Sequence, residues 1–209
     1  GWAVIDGGNG FLARRPRHDA GREFPTQTED QAGGSPANKK SHPNAMLQTN
    51  RKTKAGPAGG RYVIVASRYN ARYVDGMLRA ARKVFKAAKA ARVTVIRVPG
   101  AFEIPMAASK AAGLTPAPDA ILCLGVIWQG QTTHAQHIAE AVTRALMSIA
   151  LESGVPVIHE VLTVQTEEQA RERCLHAQTN RGVEGAQTAI AMAATLGGMA
   201  HPAAARRNR

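Results

Sequence analysis

The sequence predicts an α/β protein: a three-layer doubly wound sandwich with a four-stranded parallel sheet and helices on both faces. Three observations predict it. Short β-branched runs recur along the chain, amphipathic segments alternate with them, and Gly, Pro or polar clusters mark each change of period. Connections between such strands are right-handed crossovers.

The first strand is expected over 61–67 (RYVIVAS), a continuous apolar run of the kind buried on both faces. An amphipathic helix is expected over 71–90. Val74, Met77, Leu78, Ala81, Val84 and Phe85 recur at steps of three and four, with Arg and Lys opposite. A second strand follows at 93–98 (VTVIRV). The helix expected over 102–113 must carry Pro105 in its first turn, where proline costs least, and it stops at glycine. The third strand is 119–127 (DAILCLGVI), and the long helix 135–154 again ends at glycine. The fourth strand is 155–164 (VPVIHEVLTV). Two helices close the domain, 166–178 with acids in its first turn and 182–195.

The domain is therefore placed at 61–196. Residues 1–60 are rich in Gly, Pro, Asn and Gln without a period of 2 or 3.6, and cannot bury enough apolar surface to offset chain entropy, so they are expected to be disordered. The first methionine is Met46, and non-native upstream sequence over 1–45 is the alternative reading of this extension. Residues 197–209 are expected to form a flexible basic tail.

Of the 209 residues, 44% are hydrophobic and 20% charged, a globular composition. No run of 18 apolar residues suggests a membrane span, and 1–17 lack the pattern of a secretory signal. Two cysteines make neither a disulfide framework nor a zinc cluster, and a reducing cytoplasm is the expected setting. The net charge of +12 divides into +4 for 1–60, +5 for 61–200 and +3 for 201–209. Most of the excess thus lies outside the domain. Together with 4% aromatics, this argues against a nucleic-acid platform.

In doubly wound sheets ligands bind beyond the carboxyl ends of the strands, so chemistry is sought there. After strand one come Tyr69 and Asn70, a ring and an amide that can cover a flat ligand and bond its edge; Tyr69 could equally cap the core. After strand two, Pro99-Gly100 force a turn, and Ala101, Phe102 and Glu103 open a helix. Glu103 can accept from a polyol or simply satisfy the helix dipole. After strand three, WQGQTTH (128–134) feeds a helix N-terminus, an arrangement that favours an anion, although it lacks the GxxxxGK[ST] spacing of a P-loop. His134 ends that loop and can move protons near neutrality; an ordinary surface histidine is the other reading. His137, three residues on, lacks the carboxylate or cysteine companions of a metal site. Past strand four, Arg171 has Glu167 four residues back, while Arg173 has no such acid and is the better anion ligand.

These pieces in this order, RYN, VPGAFEIP, LGVIWQGQTTH, ESGVPVIHEVLT, EEQARERC and NRG, resemble the lumazine synthase family, over about 61–196. The resemblance implies a flavodoxin-like sandwich. It implies a transferase of riboflavin biosynthesis that condenses 5-amino-6-ribitylaminouracil with 3,4-dihydroxy-2-butanone 4-phosphate, without metal or organic cofactor. It assigns Tyr69 to stack on the pyrimidine, with Asn70 in the same motif, and Ala101, Phe102 and Glu103 to the ribityl chain. Val126, Ile127 and Trp128 match backbone contacts to the heterocycle. Gln131, Thr132 and Arg173 match the phosphate site, His134 the proton-transfer group, and Asn180-Arg181 an Asn-Lys pair near the pyrimidine oxygens. The family forms homopentamers with active sites between subunits, and some members build sixty-subunit shells.

The sequence departs from the family at Trp128-Gln129, where Ile-Arg is common. It departs again at His159, where a bulky apolar residue covers the ring from the neighbouring subunit, and at His176-Ala177. These changes motivate a second reading, a flavin- or lumazine-binding homologue with little synthase activity. In the first reading His134, Arg173 and the 131–133 turn gather round one anion pocket at the rim of the sheet, roofed by Tyr69 and an adjoining protomer.

Overall fold

The computed structural model describes residues 59–200. The expectations for 1–58 and 201–209 lie outside the described residues. The chain runs β1 (Arg61–Ser67), α1 (Ala71–Ala87), β2 (Arg92–Val98), α2 (Ile104–Ala112), β3 (Ala120–Trp128), α3 (His134–Ser153), β4 (Val157–Val164), α4 (Glu167–Cys174) and α5 (Arg181–Ala200). The four strands form one parallel sheet, as the alternation of elements predicts, and their order is β2-β1-β3-β4.

Alternate residues of each strand feed two separate cores. Ile64, Leu122 and Leu124 face α1, α4 and α5, which contribute Val74, Met77, Phe85, Ala170, Cys174 and Ile190. Val65, Ile121 and Cys123 face α2 and α3, which contribute Ile104, Ala108, Val142 and Leu146. The two layers are thus α1/α4/α5 and α2/α3. Tyr62 stacks on Phe85 with ring centroids 4.5 Å apart, tying β1 to α1. Helices α1 and α5 approach closely because of Gly182: a Cβ there would lie 2.1 Å from the Met77 carbonyl oxygen. Cys123 and Cys174 are both buried free thiols, one in each layer.

Element ends differ from expectation for local reasons. Helix α4 stops at Cys174 because side chains take its last carbonyls. Thr179 Oγ1 donates to Glu172 O at 2.7 Å, and Asn180 Nδ2 donates to Cys174 O at 2.6 Å. Helix α5 continues through Ala200, five residues beyond the end expected at 195. Gly197 and Gly198 only weaken a helix, by about 1 kcal/mol each; the first strong stop in the sequence is Pro202. Among the described residues no helix is long and apolar enough to cross a membrane.

Candidate active site

The strand order reverses direction between β1 and β3, which creates a crevice at their carboxyl ends. Asn70 spans it. Its backbone is left-handed (φ 58°), a conformation asparagine tolerates better than most residues. Its Nδ2 donates to Val126 O at 2.7 Å, and its Oδ1 accepts from Trp128 Nε1 at 3.0 Å. The Trp128 ring meets Tyr73 edge-on at 5.9 Å, and the Arg72 guanidinium lies over Tyr73 at 5.6 Å. The indole at the end of β3 is therefore anchored on two sides. Asn70, expected among the substrate ligands, already has both ends of its amide engaged by protein.

One strand across, Tyr69 N donates to Pro99 O at 3.0 Å, joining the ends of β1 and β2. Glu103 folds back over the turn, and its Oε2 accepts from Gly100 N at 2.8 Å. Gly100 leaves room for this fold-back. A Cβ would lie 2.9 Å from that carboxylate oxygen and 3.0 Å from the Tyr69 ring. Tyr69 and Glu103 are thus brought together, with the ring 68% exposed beside the carboxylate. Phe102 is also exposed and Ala101 half-buried, in a turn closed by Ile104 N donating to Ala101 O at 3.2 Å.

The loop after β3 carries exposed Gln131, Thr132 and His134, while Val126 and Ile127 are buried. The first intrahelical bond of α3 runs from His137 N to Thr133 O at 3.0 Å, so the N–H groups of residues 134–136 precede the helical ladder. Thr133 provides no side-chain cap for them. Among the described residues no three His, Cys, Asp or Glu side chains converge as a metal site would require.

The remaining candidates lie on β4 and beyond it. His159 faces α3, and its Nε2 sits 3.0 Å from Thr143 Oγ1. Burial holds its imidazole below the ordinary histidine value. Arg173 is half-buried on α4 and makes no ion pair with a described residue. Arg171 pairs with Glu167 at 3.9 Å, as the spacing predicts, and Glu167 also takes Arg72 at 3.1 Å. Arg181, at the start of α5, donates from Nε to Glu160 Oε2 at 3.0 Å and from Nη1 to Glu184 Oε2 at 2.7 Å. Asn180 is buried and structural: Oδ1 accepts from Gly182 N at 2.9 Å while Nδ2 holds Cys174 O.

Two sets of residues result. Tyr69, Asn70, Glu103, Trp128 and His134 lie at the carboxyl rim of the first three strands. His159, Arg173 and Arg181 belong to β4 and the segments after it. Helices α3 and α4, which carry His134 and Arg173, pack on opposite faces of the sheet. A single pocket around His134 and Arg173 is therefore not built from adjacent helices of one chain. Sequence reading also passed over Glu160, whose signal is a carboxylate in the middle of an apolar strand. Burial pushes its carboxyl up to about 7, with the Arg181 guanidinium opposing part of that shift.

A family model for 6,7-dimethyl-8-ribityllumazine synthase matches residues 59–197. A protein named 6,7-dimethyl-8-ribityllumazine synthase from Kineococcus radiotolerans is 37% identical over 145 residues, which is 68% of this chain and 89% of the relative. One of the same name from Xanthomonas campestris pv. campestris is 41% identical over 137 residues, 64% of this chain and 88% of the relative. One from Kocuria rhizophila is 37% identical over 139 residues, 66% and 87% of the two chains. With a parallel sheet of this order, a switch-point crevice bordered by Tyr69, Glu103 and Trp128, and a match across the whole described domain, the chain belongs to the 6,7-dimethyl-8-ribityllumazine synthase family.

Proposed function

We propose that the chain condenses 5-amino-6-ribitylaminouracil with 3,4-dihydroxy-2-butanone 4-phosphate to give 6,7-dimethyl-8-ribityllumazine, phosphate and water. The 5-amino group adds to the ketone and loses water as a Schiff base. Phosphate leaves as a proton is taken from the adjacent carbon. The enol so formed takes a proton at its terminal carbon and loses one from oxygen to become a methyl ketone, and the ribityl-bearing nitrogen then closes the ring on that carbonyl with loss of a second water. Each step moves protons and needs little other activation, so holding the two substrates together supplies much of the rate.

His134 is the proton carrier in this reading. Tyr69 lies against the pyrimidine, and the 101–103 turn with the outer oxygen of Glu103 takes the ribityl hydroxyls. Gln131, Thr132 and the leading N–H groups of α3 receive the phosphate. Arg173, Arg181 and His159 come from an adjoining copy, in a homopentamer working in the cytoplasm. Two observations support a shared site. The helices bearing His134 and Arg173 lie on opposite faces of the sheet. Met106 on α2 and Met147 and Leu151 on α3 are exposed, apolar side chains that association would cover.

The observation that carries the reading is the packing of Tyr69, Gly100 and Glu103 beside the Asn70–Val126 bridge, in a chain of this family. Mixing the purified protein with both substrates is expected to yield lumazine absorbance and free phosphate together. Lumazine binding without phosphate release would replace synthesis with a binding homologue. Sedimentation at the mass of one chain would remove the shared site.

A further inference from the structure

Glu160 is the one buried charged side chain among the described residues, 4% exposed. It stands in the middle of β4 beside Leu124 of β3, where the strand pattern calls for an apolar residue. A buried carboxylate costs several kcal/mol unless it is paired, and a paired one is seldom more stabilising than a hydrophobic replacement. Stability alone is therefore a poor account of it. Yet the surroundings are built to receive it. Gly185 on α5 leaves the space: a Cβ there would lie 2.7 Å from Glu160 Cγ and 2.7 Å from Leu122 Cδ1. Arg181, one turn earlier, meets it through Nε at 3.0 Å.

The guanidinium is held at two of its three nitrogens by carboxylates from two elements, Glu160 of β4 at Nε and Glu184 of α5 at Nη1. Its third nitrogen, Nη2, bonds no described residue, and the side chain is 25% exposed. A planar fork fixed at two corners presents the third in one direction, a preorganised donor for a carbonyl oxygen. Cys174 is a further titratable neighbour, whose thiol Glu160 helps to push up; α1 contributes Tyr73, Val74, Met77, Ala81 and Phe85 to this layer.

We propose that Glu160 is a positioning residue for the pyrimidine substrate, acting through Arg181 to aim the Nη2 donor at the ring's carbonyl oxygens. This rests on the assignment of Arg181 to the pyrimidine site. Glu160 itself touches no substrate.

The test compares Glu160→Leu, Glu160→Gln, Arg181→Ala and the double variant Glu160→Leu/Arg181→Ala in steady-state assays of the full chain. Leucine removes the acceptor; glutamine keeps an oxygen for Arg181 Nε. In Glu160→Leu, KM for 5-amino-6-ribitylaminouracil should rise about tenfold, with KM for the butanone phosphate and kcat within about twofold. Glu160→Gln should recover most of the loss, and the double variant should be no worse than Arg181→Ala. If Glu160→Leu does not fold, Gly185→Ala displaces the carboxylate without changing charge and should give the same split. An unchanged pyrimidine KM in Glu160→Leu or Gly185→Ala, with a raised one in Arg181→Ala, overturns the positioning role and leaves Arg181 in place. An unchanged KM in Arg181→Ala removes Arg181 from the site, and the proposal with it.

Discussion

The hydroxyl of Thr143 donates to Ala139 O at 2.7 Å and so can only accept from His159, whose Nε2 lies 3.0 Å away. The His159 Nε2–H is therefore the donor of this pair, and the ring is oriented by α3 at the point where the family pattern carries a bulky apolar side chain. Thr143→Val should release the ring and cost about 1 kcal/mol of stability. Nitrogen-15 correlation spectra of the imidazole check it; the same single tautomer in the variant would show that Thr143 does not hold the ring.

Neighbouring residues on opposite faces of β4 give pH dependences of opposite sign. The folded His159 binds its proton less tightly than the unfolded chain, so its contribution is full above pH 6.5 and is lost as pH falls through the depressed folded value. The folded Glu160 binds its proton more tightly, so its contribution is full below pH 4.5 and is lost as pH rises through about 7. Chemical denaturation from pH 4 to 8 should show Glu160→Leu gaining on the unmodified protein as pH rises across that window. A constant difference at all pH values would contradict the raised carboxyl.

His134→Ala should slow turnover by about 10²–10⁴-fold without abolishing it, because positioning survives. Arg173→Ala should also raise KM for the phosphate substrate. Since the two side chains are assigned to different copies, subunits of the two variants exchanged in equal amounts should regain about a quarter of the unmodified activity, from sites that draw both intact residues. No recovery after verified exchange would place both residues in the same copy.

Asn70→Ala removes two hydrogen bonds and puts alanine at φ 58°, so a loss of about 2–3 kcal/mol is expected, read as a lower denaturant midpoint. Trp128 emission should shift to the red as the indole loses its acceptor. Unchanged emission would mean that Asn70 does not anchor the ring.

Much of this architecture was legible in the letters. RYVIVAS and DAILCLGVI are continuous apolar runs, and they became the central strands β1 and β3. The strand ends also named the rim residues, because ligands collect there in any such sheet. The layer of α4 was not legible. Crossover handedness fixes a helix only between two strands, and none follows α4; it joins α1 and α5 because that face needs cover. Nor did the motif RYN reveal that the Asn70 amide is occupied by Val126 and Trp128, residues 56 and 58 positions away. The burial of Glu160 depends on the absent side chain of Gly185, a pairing across 25 positions that no local pattern records.

The two thiols turn this layering into something that can be timed. Cys123 is sealed beneath α2 and α3, with its thiol pushed far up by burial; Cys174, at the end of α4, is sealed in the core shared with α1 and α5, at about 12. An alkylating reagent reacts with thiolate alone, so each sulfur waits until its own half of the interior opens. Comparing the two labelling rates in one sample would reveal whether the halves come apart together or one before the other.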